Sequence, residues 1–178
     1  SQYLIKEAGF ASDHVKLLTD KDATRENIIK QLGVDWLGRR AASDDLVVVY
    51  ISSHGSTSKS EAGGVNFLVA HDTQPEALLS SGIPMQWLSQ MIKEQVHARR
   101  VILVLDVCHS GAVHGTGGTG ASGANGEKGL VRQASFDLEK VALGEGQAII
   151  CSSAPEQVSW ESKTYPNSVF TRKLIESL

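Results

Sequence analysis

The 178 residues predict one α/β domain, an α/β sandwich of helices around a mainly parallel sheet. Two runs, "LVVVYI" at 46–51 and "VILVLD" at 101–106, are apolar on both faces, as central parallel strands covered by helices must be. Runs with helical spacing of apolar residues alternate with strand-like runs, which implies right-handed crossovers between parallel strands. A composition of 41% hydrophobic and 21% charged residues supplies a sizeable core and excludes a disordered tail.

Taken in order, Ser1 to Ala8 reads as the tail of a helix closed by Gly9, because glycine accepts the left-handed conformation of a helix C-cap. "VKLLTD" at 15–20 reads as a short strand. Thr24 then caps a helix whose Ile28, Ile29, Leu32 and Trp36 form one apolar face. The run at 46–51 ends in "SSHG", "VNFLVA" is a further short strand, and Pro84 opens a helix with Met85, Leu88, Ile92 and Val96 inward. After the second fully apolar strand, eight of the 17 glycines fall between 111 and 129, too dense for a helix or strand interior, so a long flexible loop is expected. "QAIICSS" resumes as a strand, followed by a helix, "SVFTRKLIESL", with Phe170, Leu174, Ile175 and Leu178 inward.

Composition also bounds the partners. A net charge of −3, from 17 basic and 20 acidic residues spread along the chain, offers no case for nucleic acid. No apolar run approaches the ~20 residues of a membrane span, and the N-terminus has no signal-peptide pattern, so no membrane partner is expected. Two cysteines, Cys108 and Cys151, are too few for a disulfide framework or a zinc cage. Reduced thiols in a reducing, cytoplasmic compartment are expected, with neither metal nor cofactor.

Reactive groups in such sheets collect at the carboxyl ends of the strands. One end carries His54 and Gly55; the other carries Asp106, Cys108 and His109. A thiol attacks as thiolate, and a nearby histidine both stabilises that thiolate and later protonates a leaving amine. His54 and Cys108 from adjacent strands meet that need, and the backbone N–H groups of Gly55 and Cys108 could hold the oxyanion that forms on attack. Each signal alone has a blander reading, a buried strand-end cysteine and a chance "HG" pair; what favours chemistry is that both lie at the ends of the two long apolar strands. His109 reads as structural and Cys151 as core packing, while His14, His71, His97 and His114 carry no assigned role.

"VVVYISSHGS" and "VILVLDVCHSG", in that order and separated by a strand and a helix, resemble the histidine and cysteine motifs of caspase-like cysteine peptidases, specifically the metacaspase and bacterial orthocaspase branch. "IICSSAPEQVSWES" followed by "SVFTRKLIESL" resembles the small-subunit strand, substrate loop and helix of that family. The resemblance implies a caspase-like α/β/α sandwich lacking its first strand in this chain, with that strand and an acidic loop before Ser1. It implies a single domain over 1–178: a large-subunit-like part at 1–110, a glycine-rich linker at 111–135 and a small-subunit-like part at 136–178. It assigns His54 as general base and acid, Cys108 as nucleophile, and the Gly55 and Cys108 amides as oxyanion hole.

Specificity follows from charge. Caspases that cut after aspartate are similar around the cysteine but carry glutamine where Asp106 stands, and arginine after the "SW" pair where this chain has Glu161. Both departures make the pocket more acidic. A buried, unpaired carboxylate is costly until a cation joins it, so Asp106 reads as the partner of a substrate Arg or Lys, and the arginine fork gains most. Ser159 and Trp160 resemble residues that pair with substrate backbone and wall the neighbouring subsite; Glu161 has the plainer alternative of a solvated loop acid.

Lys128 and Arg132 are candidates for self-cleavage of a zymogen into two associated fragments, or they merely solubilise the loop. Many metacaspases require calcium. Here Asp72 stands in a corresponding position, but Ser80 and Ser81 replace an expected acidic pair and no acid follows "CHSG" until Glu127, so calcium independence is expected. The expected partners are protein or peptide substrates with Arg or Lys at the cleaved position, and an N-terminal fragment of the same protein; the resemblance favours a monomer. A catalytically silent scaffold or binding module with the same pair stays open. A flavodoxin-like nucleotide domain lacks support, since the glycines follow neither P-loop nor Rossmann spacing.

Overall fold

In a computed structural model, residues 1–57, 65–109, 146–152 and 167–178 are described; Ser56, Thr57, Cys108 and His109 are described by their strand positions alone. Helix α1 (Gln2–Lys6) leads through Gly9, at φ +76, to a short 3₁₀ turn. Residues 15–19 run on without entering the sheet, and α2 (Arg25–Leu32) and α3 (Leu37–Arg40) follow. Strand β1 (Leu46–Thr57) precedes β2 (Asn66–Leu68), α4 (Leu78–Ser81), β3 (Ile83–Pro84) and α5 (Met85–Gln95). The remaining described elements are β4 (Arg100–His109), β5 (Gln147–Cys151) and α6 (Val169–Ser177). No helix among the described residues is long and apolar enough to cross a membrane.

The five strands among the described residues form one mixed sheet in the order β3-β2-β1-β4-β5. β1, β4 and β5 are parallel, while β2 and β3 form an antiparallel edge. The β1–β4 ladder runs unbroken from Leu46 opposite Arg100 to Gly55 opposite His109. Strand alternation then sorts the side chains. Val47, Val49, Val101, Leu103, Leu105 and Val107 fall on one face and join the core with α5, whose Met85, Leu88 and Ile92 are buried, and with Ile28, Ile29 and Leu32 of α2. Tyr50 and Asp106 lie on the other face, beneath α6. The result is an α/β/α layering.

Local chemistry explains the element ends. Thr24 Oγ1 accepts from the Asn27 N–H at 3.2 Å, and Asp72 Oδ1 accepts from the Arg25 N–H at 2.8 Å, so two side chains satisfy the first turn of α2. Ser168 Oγ caps α6 by accepting from the Thr171 N–H at 3.0 Å. Gly146 introduces β5 at φ +77, where a Cβ would lie 2.4 Å from the Arg99 carbonyl oxygen, so only glycine fits.

Four expectations require correction. Residues 15–20 form no strand; Val15 and Thr19 are extended, but no ladder holds the segment. Helix α2 stops at Leu32, and Trp36 instead precedes α3. β1 does not end before "SSHG" but continues to Thr57, because β2 pairs with Gly55–Thr57. On α6 Phe170 and Leu174 are half-buried as expected, but the buried residue is Thr171, while Ile175 is 36% and Leu178 79% exposed, because a polar contact with Asp106 sets the inward face. The glycine-rich linker at 111–135 lies outside the described residues.

Leu103, with 0% exposure at the centre of β4, is the most direct probe of this core. Leu103→Ala is expected to cost about 3 kcal/mol from lost burial plus cavity, measured as a lower denaturation midpoint at unchanged slope.

Candidate active site

The β1–β4 register places His54 directly opposite Cys108, and Ser52 directly opposite Asp106. Directly paired positions in a parallel ladder share a face, so positions 50, 52 and 54 line up beside 104, 106 and 108. The histidine and cysteine positions are thus rungs of one ladder, inside the strands rather than on loops beyond them.

His54 is exposed, and its backbone is held on both sides. β4 pairs with it on one side; on the other its carbonyl accepts from the Val69 N–H at 3.0 Å. The neighbouring Ser53 hydroxyl donates to the Val69 carbonyl, which pins the 53–54 step to the chain leaving β2. Gly55 is buried in the ladder, paired with Leu68 on one side and His109 on the other.

Asp106 is the most unusual residue of the site: a carboxylate with 0% exposure in an otherwise apolar strand. Its Oδ2 accepts from the Ser168 hydroxyl and from Thr171 Oγ1 at 2.8 Å, with the Tyr50 hydroxyl farther off at 3.4 Å. Tyr50 and Thr171 hydroxyls share a 2.6 Å hydrogen bond. Ser168 and Thr171 occupy the first turn of α6, so the positive end of the helix dipole also faces the carboxylate. Its other oxygen, Oδ1, is buried and has no partner among the described residues. The hydroxyls solvate one oxygen without neutralising the charge, so this buried carboxylate retains an open acceptor. Burial raises the Tyr50 phenol above its usual range, which keeps it a proton donor at neutral pH.

The sequence singles out His54, Cys108, Gly55 and Asp106 as candidates but not Tyr50, Ser168 and Thr171, which the structure brings to Asp106. The overlooked signal was the pair of hydroxyls at the first turn of the last helix, read there only as the start of an apolar face. Ser159, Trp160, Glu161, Lys128 and Arg132 lie outside the described residues, as do His114 and Glu127. Asp72 serves as an acceptor at the start of α2, next to an Arg25 side chain that donates to the Gly82 carbonyl and lies 5.9 Å from the Trp87 ring centroid.

Cys151, paired with Leu105 on β5, packs against the core face of the sheet. Burial pushes its thiol from the ordinary 9.0 up to about 11. A rise of two units cuts the thiolate fraction near neutral pH roughly 100-fold. Native Cys151 is therefore expected to alkylate about 100-fold more slowly at pH 8 than after unfolding, read as iodoacetamide adducts by peptide mass spectrometry.

No curated protein matches this chain. The Caspase domain family model (Peptidase C14) matches residues 1–178, end to end. With the mixed sheet, the helices on both faces and the paired histidine and cysteine positions, that match gives the chain its place: it belongs to the caspase-domain family of cysteine peptidases, which act on protein substrates.

Proposed function

We propose that this chain is an endopeptidase of the metacaspase and orthocaspase type that cleaves after Arg, or Lys, through a His54–Cys108 dyad. The observation that carries the reading is the register pairing of His54 with Cys108 beside a fully buried Asp106. In the cycle, the Cys108 sulfur attacks the scissile carbonyl carbon and the C–N bond breaks. The amine leaves with a proton from His54, and water activated by His54 hydrolyses the thioester. The oxyanion role of the Gly55 and Cys108 amides rests on the resemblance, since Gly55 itself lies within the ladder.

The basic preference is supported by the state of Asp106. A buried negative charge with an open oxygen gains most from a guanidinium or ammonium, and an aspartate side chain at the same place would be repelled. Ser159, Trp160 and Glu161 complete the substrate contacts in this reading. Lys128 and Arg132 are its self-processing sites, no cofactor is needed, and a reducing cytoplasm suits the thiol.

In this reading an N-terminal fragment of the same protein is the partner of the open edge of β1. From Leu46 to Ser53 the edge of β1 away from β4 meets no strand among the described residues. Beside it runs a groove of about 750 Å³ walled by Leu17, Leu18, Ile28, Leu32, Trp36 and Leu68. An extended apolar segment would satisfy that edge and turn residues 15–19 into the next strand out. The domain would then act as a monomer.

The test is hydrolysis of peptide reporters ending in Arg, Lys or Asp, with and without chelator. Turnover after Arg or Lys that survives chelator and falls on the order of 10³-fold or more in both Cys108→Ala and His54→Ala is the expected result. Asp106→Asn is expected to lower kcat/KM for the Arg reporter about 100-fold. Cleavage after Asp would overturn the basic pocket, and no cleavage by folded protein would leave a silent binding module.

A further inference from the structure

We propose that Tyr50, Ser168 and Thr171 form a hydroxyl clamp that turns the Asp106 carboxylate so that Oδ1 faces substrate, making helix α6 part of the specificity pocket. The inference rests on the basic-pocket reading above and adds to it the residues that position its charge.

Ser168 Oγ accepts the Thr171 N–H, which occupies a lone pair and leaves the hydroxyl proton free to go to Asp106 Oδ2. Thr171 has one hydroxyl proton, and its 2.8 Å contact with Oδ2 uses it. The 2.6 Å contact between Thr171 and Tyr50 must then be filled by the phenol proton, with Thr171 Oγ1 as acceptor. The longer Tyr50–Asp106 distance, 3.4 Å, agrees with the phenol proton being directed at threonine instead. The hydroxyl protons of Ser168, Thr171 and Tyr50 thus converge on Oδ2, directly or through one relay, and none reaches Oδ1. A carboxylate so held has one orientation about its terminal torsion; without the clamp that torsion is broad and two-fold.

The clamp also joins parts of the chain far apart in sequence. Tyr50 belongs to β1, Asp106 to β4, and Ser168 and Thr171 to the element after the linker, so the pocket charge is set only when α6 is docked. These three are positioning residues: they touch Asp106, and Asp106 meets the substrate.

The test compares two peptide reporters identical except for Arg or its uncharged isostere citrulline at the cleaved position. They are assayed with wild type, Thr171→Val, Thr171→Ser and Tyr50→Phe, each checked for an intact melting transition. The clamp predicts that Thr171→Val lowers the Arg-to-citrulline ratio of kcat/KM about tenfold, chiefly through KM. Thr171→Ser restores the ratio, and Tyr50→Phe, one step removed, lowers it about threefold. A fall shared equally by both reporters marks a purely structural role and overturns the clamp, as does a ratio that survives both Thr171→Val and Tyr50→Phe. Should Thr171→Val fail to fold, Tyr50→Phe decides alone. A wild-type ratio near one overturns the basic-pocket reading, and the clamp with it.

Discussion

The parallel ladder between β1 and β4 is the constraint on which everything else hangs. It aligns ten consecutive pairs from Leu46–Arg100 to Gly55–His109, and it couples the core to the site through one register. A slip of β1 by one residue would place His54 opposite Val107 or His109, and would send Val47 and Val49 to the face away from Leu103 and Leu105. The core side chains therefore enforce the pairing of His54 with Cys108. Burial of valines and leucines against α5 supplies the free energy, and the site inherits its geometry from a packing decision made several residues upstream.

Asp106 stands against that economy. A carboxylate with 0% exposure between Leu105 and Val107 loses hydration that hydroxyl contacts restore only in part. The fold answers with the first turn of α6: two hydroxyl donors and the positive end of the helix. The same contact explains an odd feature of α6, which presents a threonine to the sheet and leaves Ile175 36% exposed. A helix docked by apolar area alone would bury Phe170, Leu174 and Ile175 fully, whereas Phe170 and Leu174 are only half-buried. Here the directional hydrogen bonds to Asp106 win over part of that area.

Much of this was legible in the residues and some was not. The doubly apolar runs at 46–51 and 101–106 identified the central strands, and Thr24 and Pro84 marked helix starts that the structure confirms at or next to those positions. The errors share a cause: each turned on a partner that local pattern does not contain. "VKLLTD" has strand composition yet lies unpaired, because strands exist only against neighbours. β1 reaches Thr57 because β2 returns alongside it, a fact held in residues 66–68. The face of α6 was misread because its decisive contact is with Asp106, more than sixty residues away. His54, Cys108 and Asp106 stand out as candidates because their residue types carry chemistry wherever they stand; Tyr50 and Thr171 come into view only through their hydrogen bonds around Asp106.

The two cysteines show how one alternation divides roles. Cys151 pairs with Leu105, an odd position of β4 on the core face, and its neighbours are the apolar side chains packed beneath α5 and α2. Desolvation there opposes the thiolate, and no cation or donor among its described neighbours offsets it. Cys108 stands three positions along β4 from Leu105, so strand alternation assigns its position to the opposite face, level with His54 and next in line after Asp106. The strands that carry the two cysteines are adjacent and parallel, and the residues are chemically identical. What separates an inert thiol from a candidate nucleophile is the parity of its strand position, which the apolar core fixes by claiming every odd residue from Val101 to Val107.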